Sequence, residues 1–247
     1  MLEKVEGIII KTLDYGETHK IVTLFSKKHG KISALARGAK KTRSRMAAVT
    51  QPFIHAEFFI YLSKGLSTIQ QGEVIDSLRS IREDIMKTAY AAYIVELTDK
   101  LLEKNDPDVF LYDQLIQTLK WIDEHEDSNI PIMMYELKLY RKGGFEPTLD
   151  KCVNCGRQQP PFSFSISEGG YLCKSCKAID EFAVDLPDVL AKWLYVFLGI
   201  GLERIGTISM KPENKQLLRQ ILDAYYEQHG GFYLKSKKFL KQMERLS

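Results

Sequence analysis

VEGIIIKTL (5–13), HKIVTLFS (19–26) and KISALARGA (31–39) are three apolar segments separated by the short turn sequences DYGET and KKHG. The first is rich in β-branched residues, and the other two alternate apolar and polar side chains, which is typical of half-buried strands. FIHAEFFIYL (53–62) and LSTIQQGEVID (66–76) continue the series, with Gly72 as the expected position of a bulge. Five short strands within about 75 residues favour a five-stranded OB-type barrel.

From Ser77 onward the apolar residues recur with a helical period. The sequence predicts about six helices, which cover 77–105, 108–125, a segment from Pro131 to Gly143-Gly144, segments that begin at Pro187 and Pro212, and a short basic helix capped by Ser236. The predicted fold class is therefore α+β. We expect an OB-fold domain over 1–79 and a helical-bundle domain over 80–247, with a zinc-ribbon-like insertion at about 148–182.

The chain contains four cysteines, Cys152, Cys155, Cys173 and Cys176, in the pattern C-x2-C-x17-C-x2-C. This spacing is that of a zinc ribbon, in which each pair of thiolates points at one ion from a tight turn. Four sulfur ligands would leave no open position for water, so we expect one structural Zn²⁺ and no hydrolytic site. Two disulfides, a redox CxxC pair or an iron–sulfur cluster remain alternatives.

The formal net charge of +3 conceals an uneven distribution along the chain. Residues 18–56 carry +9 with no acidic residue, residues 231–247 carry +4, and the remainder carries −10. A basic run on an OB-like barrel predicts contact with nucleic-acid phosphates, although a solvated basic loop is the alternative. The expected phosphate ligands are Lys27, Lys28, Lys31, Arg37, Lys40, Lys41, Arg43 and Arg45.

Aromatic residues of the fourth strand offer a second route to nucleic-acid contact. Phe58 and Ile60 share one face, and Phe59 and Tyr61 share the other. One pair must enter the barrel core, and the other could stack on bases or pack against other parts of the protein. The sequence alone does not decide between the two faces.

Signatures of enzymes and of membrane proteins are absent from the sequence. It has no P-loop, HExxH or GxSxG motif, and its five histidines are scattered. The N-terminal sequence has no signal-peptide core, and the longest apolar stretch, 189–202, is too short for a membrane span. We therefore expect a cytosolic binding protein rather than an enzyme.

The opening sequence VEGIIIKTLDYGETHKIVTLFSKKHGKISALARGAKKTRSR resembles the start of bacterial RecO recombination-repair proteins. The order of barrel, helical bundle and inserted four-cysteine element is also similar to that of this family. The resemblance implies a cytoplasmic, nucleoid-associated mediator that binds single- and double-stranded DNA and anneals complementary strands without ATP. It further implies that RecR is a partner in loading RecA onto DNA coated by single-strand-binding protein, whose acidic C-terminal tail is also contacted.

Two further groups of residues acquire expected roles under this resemblance. The terminal lysines Lys235, Lys237 and Lys238 would extend the DNA track, and Lys138, Arg141 and Lys142 near Tyr140 would meet the acidic tail. A zinc-ribbon RNA-binding or translation-associated protein remains the alternative, because the discriminating 2′-hydroxyl leaves no mark in this sequence. An enzyme with an unrecognised site is the third possibility.

Overall fold

The computed structural model describes residues 1–206 and 208–244, which form a mixed α+β structure. The N-terminal strands are β1 (Leu2–Tyr15), β2 (His19–Ser26), β3 (Gly30–Ala36), β4 (His55–Tyr61) and β5 (Ser67–Asp76). They form a closed barrel in the order β1-β2-β3-β5-β4. All five predicted strands are confirmed, with small differences at their ends. A short helix, α1 (Arg45–Val49), lies between β3 and β4.

The barrel is closed by a short parallel pairing of β3 with β5. Only Ala34–Ala36 pair with Ser67–Ile69, whereas the other neighbouring strands pair antiparallel over seven or more residues. The interior contains Val5, Ile9, Val22, Leu24, Ile32, Ala34, Ala36, Ala39, Val49, Ile54, Ala56, Phe58, Ile60 and Ile69. Phe58 and Ile60 thus belong to the core, and Tyr61 lies on the outer face.

Gly72 is not the bulge that the sequence predicts. The register of β4 with β5 shifts between His55 and Ala56 and between Phe59 and Ile60, whereas Gly72 pairs regularly with Phe58. A Cβ atom at Gly72 would lie 3.0 Å from the Phe58 ring. The glycine therefore leaves room for an aromatic side chain in the core.

The first long helical segment is two helices rather than the single one predicted over 77–105. They are α2 (Arg79–Glu83) and α3 (Ile85–Leu101), and Asp84 between them is extended. The Asp84 carboxylate accepts a hydrogen bond from the Lys87 backbone N–H and so caps α3. Asp108 caps α4 (Val109–Glu124) in the same way. The last helix, α8 (Lys235–Glu244), packs on α3.

The connection between α3 and α4 lies directly on the edge of β3. The Asn105 N–H donates to the Lys31 carbonyl at 3.2 Å, and Lys104 forms a parallel bridge with Lys31. Gly30 permits this approach, because a Cβ atom there would lie 2.3 Å from the Asp106 carbonyl oxygen. Its φ of +66° also belongs to the left-handed region that favours glycine.

The remaining elements build a second group around a small sheet. They are α5 (Asn129–Lys142), β6 (Thr148–Cys152), β7 (Phe162–Ser165), β8 (Gly170–Cys173), β9 (Val184–Asp185), α6 (Asp188–Gly199) and α7 (Pro212–His229), with 3-10 turns at Lys177–Ile179 and Leu202–Arg204. The sheet has the order β6-β8-β7-β9. The Tyr140 ring packs against Tyr225 and Tyr226 of α7, with 6.0 Å between ring centroids in each pair.

The chain divides into two compact units. One contains Met1–Glu126 and the C-terminal segment from Leu234 onward, and the other is Asp127–Tyr233. The division of the sequence into domains of 1–79 and 80–247 stays a prediction about which segments fold independently. Within the described ranges, none of the helices combines the length and apolar character that a membrane crossing requires.

We expect Gly30→Ala to destabilise the protein more than Gly16→Ala. Both glycines have a positive φ, so both variants place a non-glycine residue in the left-handed region at about 1–3 kcal/mol. Only Gly30 also has backbone atoms within 3 Å of the added Cβ, whereas nothing lies within 4 Å at Gly16. Chemical denaturation measures the two free energies of unfolding. Equal losses would contradict the close approach of the α3–α4 connection to β3.

Candidate nucleic-acid interface and cysteine site

Residues 37–45, here called the basic loop, leave the barrel directly after β3. Two successive turns shape it, closed by hydrogen bonds from the Lys41 N–H to the Gly38 carbonyl and from the Ser44 N–H to the Lys41 carbonyl. The Lys40 N–H donates to the Thr18 carbonyl at 2.9 Å, and the Ala39 side chain is buried in the barrel core. The loop is therefore fixed at its middle while its cationic side chains point outward.

The structure separates the eight expected phosphate ligands into two sets of four. Each residue of the first set has a carboxylate partner: Lys27 with Asp113, Lys28 with Glu3, Lys31 with Asp99, and Lys40 with Asp14. The second set, all in the basic loop, has no such ion pair in the part of the chain that the structure describes: Arg37, Lys41, Arg43 and Arg45. All four of these side chains are exposed. The basic loop therefore carries the positive charge that remains available.

Local electrostatics support this separation. The hydrogen bond from Lys40 holds the pKa of Asp14 below its ordinary value, and hydrogen bonds from Lys28 and His29 do the same for Glu3. The hydrogen bond to Asp113 raises the pKa of Lys27. These lysines would have to leave a carboxylate before they could bind a phosphate. The arginines of the basic loop would exchange only water and counterions.

An apolar row, half-buried at Ile21 and Leu35 and exposed at Leu13, lies on the outer face of the barrel beside the basic loop. Leu13 of β1 pairs with Ile21 of β2, which pairs with Leu35 of β3. Leu13 is 55% exposed, and Tyr15, two residues further along β1, is 52% exposed. His19, opposite Tyr15, accepts a hydrogen bond from the Gly38 N–H of the basic loop. An exposed tyrosine ring thus stands next to the anchor of the cationic segment, where it could stack on a base.

The three terminal lysines do not share one environment. Lys235 and Lys238 are exposed on α8, but Lys237 is 8% exposed and its Nζ lies 5.6 Å from the centre of the Tyr93 ring. The structure therefore corrects the expectation for Lys237, because its ammonium group faces the interior rather than a DNA track. Arg245, which contributes to the charge of 231–247, lies outside the described residues.

Lys138 is likewise corrected, because it lies inside the second unit. Its Nζ donates to the Phe197 carbonyl at 2.9 Å and to the Met134 carbonyl at 3.2 Å. The side chain is nearly inaccessible to solvent. Its pKa is lowered to about 8, mainly by burial and to a smaller extent by repulsion from Arg141. It caps the C-terminal end of α6 and cannot reach a partner at the surface.

The neighbours of Lys138 on α5 are placed differently. Arg141 is exposed and forms two hydrogen bonds with Glu146, at 2.5 and 3.1 Å. Lys142 is half-buried, and Tyr140 is fully buried. An acidic partner segment could therefore approach Arg141 and Lys142, but not Lys138 or Tyr140.

The structure brings the four cysteines together at one edge of the small sheet. Cys152 ends β6 and Cys173 ends β8, and these two strands are parallel neighbours. The chain turns back after each strand, with hydrogen bonds from the Gly156 N–H to the Cys152 carbonyl and from the Cys176 N–H to the Cys173 carbonyl. The first turn places Gly156 at a φ of +75°. Each CxxC turn thereby contributes two thiols to one location.

The four sulfur atoms are compatible with a tetrahedral metal site. All lie within 4.8 Å of one another, and the Sγ atoms of Cys155 and Cys173 are 3.6 Å apart. Four zinc–sulfur bonds of about 2.3 Å would place the sulfurs about 3.8 Å apart. A disulfide would require about 2.05 Å, and all four cysteines are free.

The polar groups around the sulfurs favour thiolate ligands. Burial raises the pKa of Cys152, but hydrogen bonds from the backbone N–H groups of Cys155, Cys173 and Asn154 outweigh it and lower the pKa to about 6. Asn154 also donates to Cys176 and lowers its pKa, but burial and the neighbouring cysteines raise it overall to about 11. Four thiolates without a cation would repel one another, and a bound dication would remove that conflict.

The carboxylates that pair with four of the eight expected phosphate ligands could not be predicted from the sequence. Asp99 and Asp113 lie on helices and meet lysines of the barrel that are 68 and 86 residues away in the chain. No local pattern indicates such pairs. Tyr15 could have been predicted from the sequence as a candidate base-stacking residue, because the alternation of the first hairpin places it opposite His19.

Comparison with known proteins gives matches over nearly the whole chain. Residues 1–78 match the family model "Recombination protein O N terminal", and residues 82–238 match "Recombination protein O C terminal". A protein named "DNA repair protein RecO" from Oceanobacillus iheyensis is 59% identical over 99% of this chain and 95% of its own length. Proteins of the same name from Bacillus pumilus and Bacillus subtilis are 47% and 44% identical, over 100% of this chain and 96% of their lengths.

We expect Lys138→Met to remove a pH dependence of stability. The folded protein holds the Lys138 pKa near 8, below its value of about 10.4 in an unfolded chain. The unfolded state thus binds more protons between these values, and stability rises with pH there. From pH 7 to pH 9.5 the original chain should gain about 2 kcal/mol relative to the variant. Denaturant titrations at the two pH values measure this difference, and identical pH profiles would contradict the buried position.

Proposed function

The chain belongs to the RecO family of DNA repair proteins, and on that premise we propose that it is a recombination mediator that binds single- and double-stranded DNA. It anneals complementary strands without ATP and, with RecR, assists RecA in loading onto DNA coated by single-strand-binding protein. It acts as a binding protein in the cytoplasm, associated with the nucleoid, and not as an enzyme.

One observation carries the proposal of DNA binding. The basic loop presents Arg37, Lys41, Arg43 and Arg45 to solvent with no carboxylate paired to them among the described residues. Arginine binds phosphate oxygens in a bidentate manner, and clustered cations release counterions when a nucleic-acid backbone replaces them. Neutralised phosphates would also reduce the repulsion between two complementary strands, which is the physical requirement of annealing.

We assign the barrel to the OB type, which supports the same function. Five strands in the order β1-β2-β3-β5-β4 with a helix between β3 and β4 agree with this assignment. OB barrels commonly bind oligonucleotides on the face of strands 2 and 3 and on the adjoining loops. In this chain that face carries the half-buried Ile21 and Leu35, lies beside the exposed Leu13 of β1, and ends at the basic loop. Lys235 and Lys238 of α8 are candidates for an extension of the track.

We further propose that the four cysteines bind one structural Zn²⁺ ion. Cys152, Cys155, Cys173 and Cys176 would hold it, and the ion would fasten the two CxxC turns to each other. Because sulfur would fill all four positions, this site stabilises the second unit and does not perform chemistry. For the acidic tail of single-strand-binding protein we retain Arg141 and Lys142 as candidate contacts.

The DNA proposal predicts different effects for two matched double variants. Lys41→Ala with Arg45→Ala removes two unpaired cations, whereas Lys27→Ala with Lys28→Ala removes two that already have carboxylate partners. The logarithm of the affinity for a single strand should fall with the logarithm of the salt concentration. In the first variant this slope should be shallower by about 1.4, because each phosphate contact contributes about 0.7.

Fluorescence anisotropy with a labelled oligonucleotide at several salt concentrations measures these slopes. The Lys27/Lys28 variant should change the slope by less than the Lys41/Arg45 variant. Equal changes of slope in both variants would show that the carboxylate pairs do not reduce phosphate binding by the paired lysines. An affinity that does not depend on the salt concentration would contradict the assignment of the basic loop.

Replacement of Cys152 and Cys155 by serine should release zinc and lower the melting temperature. Lys174→Ala is the matched control, because Lys174 lies exposed within the second CxxC turn but supplies no sulfur. Elemental analysis of freshly purified protein should give one zinc per chain for the original protein and the control. Absence of metal from both would contradict the site. DNA affinity should largely survive in the serine variant if the ion is structural.

A further inference from the structure

The first unit contains a cationic cleft of about 380 Å³ that the proposed function does not use. It lies beside the β4–β5 loop, away from the basic loop in the sequence. Its lining includes three lysines, Lys31, Lys64 and Lys104, together with His29, Asn105 and three serines. Within the described part of the chain, no acidic residue lines it.

The cleft exists because β3 has no strand partner over part of one edge. Lys31 bridges to Lys104, and Ala34 begins the pairing with β5, so Ile32 and Ser33 lie between two different neighbours. The β4–β5 loop, with Ser63 and Lys64, forms the opposite wall. The Ser63 hydroxyl donates to the Leu66 carbonyl at 2.8 Å, and the Ser67 hydroxyl accepts from the Ser63 N–H at 3.3 Å. These bonds hold the loop in its turn.

The cations of the cleft are unequally compensated. Lys31 is 3.2 Å from an Asp99 carboxylate oxygen, and His29 is 2.9 Å from Glu3. Lys64 and Lys104 are exposed, and among the described residues neither has an ion-pair partner. They stand on opposite walls, one on the β4–β5 loop and one on the α3–α4 connection. The two ammonium groups can therefore compensate a compact ligand that carries about two negative charges.

We propose that this cleft binds a phosphomonoester. Such a group carries about −1.5 to −2 charges at pH 7 and presents three acceptor oxygens. The ammonium groups of Lys64 and Lys104, the hydroxyls of Ser33 and Ser67 and the Asn105 amide are donors of the kind that it requires, whereas the Ser63 hydroxyl already donates to Leu66. Among the described residues, the lining contains no Phe, Tyr or Trp, and its one imidazole, that of His29, is paired with Glu3. Its apolar members, Ile32 and Leu62, pack in or against the barrel core, so little apolar surface remains for a peptide side chain.

Two sources could supply this group: a free mononucleotide or the phosphorylated end of a nucleic-acid strand. The second source rests on the proposed DNA binding, since the strand would be held by the basic loop as well. Recognition of a phosphorylated end would let the protein distinguish the end of a strand from its interior, where each phosphodiester carries one charge.

The experiment compares oligonucleotides of one sequence with a hydroxyl at both ends, with a 5′-phosphate or with a 3′-phosphate. Fluorescence anisotropy should show that a terminal phosphate increases affinity by about 10-fold or more, since a single charge-assisted hydrogen bond already corresponds to about that factor. Lys64→Ala with Lys104→Ala should abolish this gain and leave the affinity for the hydroxyl-ended strand. Lys100→Ala, an exposed lysine of α3 outside the cleft, should retain the gain.

A second arm uses isothermal titration calorimetry with thymidine 5′-monophosphate and with thymidine. The cleft proposal is supported if thymidine 5′-monophosphate binds, thymidine does not, and the Lys64/Lys104 variant loses this binding. If no oligonucleotide binds in the same experiments, only the proposal of DNA binding fails. Binding of the monophosphate without a gain for phosphorylated strands identifies the free nucleotide as the source. The inference would be overturned if the monophosphate does not bind and neither phosphorylated strand binds more tightly than the hydroxyl-ended one. It would also be overturned if the gain in affinity survives in the Lys64/Lys104 variant.

Discussion

The parallel pairing of β3 with β5 is the contact on which both proposed binding regions depend. It covers only Ala34–Ala36 with Ser67–Ile69, yet it closes the barrel. Because β3 ends there, the chain must leave the barrel at residue 37, and the cationic side chains of the next segment stay outside. Because the pairing begins only at Ala34, the edge of β3 at Ile32 and Ser33 remains open beside the β4–β5 loop. The positions of the basic loop and of the cationic cleft thus both follow from the short parallel pairing of β3 with β5.

Charge compensation decides which cations can serve a ligand. Several lysine–carboxylate ion pairs join the barrel to the helices of the first unit, such as Lys27 with Asp113 and Lys31 with Asp99. An exposed pair such as Lys27 with Asp113 contributes little stability, whereas Lys31 and Asp99 are largely buried. Both pairs reduce the positive charge that a phosphate would meet. Among the described residues of the first unit, the cations without a carboxylate partner include those of the basic loop, Lys235 and Lys238 of α8, and two lysines of the cleft. A count of basic residues alone does not reveal this distribution.

The sequence predicts the strands of the barrel and most helix ends because these depend on local patterns. Pro212, Asp108 and the alternation of HKIVTLFS each act on their own neighbours. The spacing of the cysteines likewise predicts their clustering, since each CxxC turn is local and only the meeting of the two turns is not. Burial of single charged side chains is different. Lys138 and Lys237 look like surface cations in the sequence, and only the packing of other helices places them inside.

We propose that the unpaired cations of the basic loop bring two DNA strands together without chemical energy. The most direct measurement is the annealing rate of complementary oligonucleotides at low salt, without ATP, for the original chain and for a variant with Arg37, Lys41, Arg43 and Arg45 changed to alanine. We expect rapid annealing by the original chain, unchanged by added ATP, and a rate near the spontaneous one for the variant. Equal rates for the two proteins, or no annealing by the original chain at low salt, would rule out this role of the basic loop.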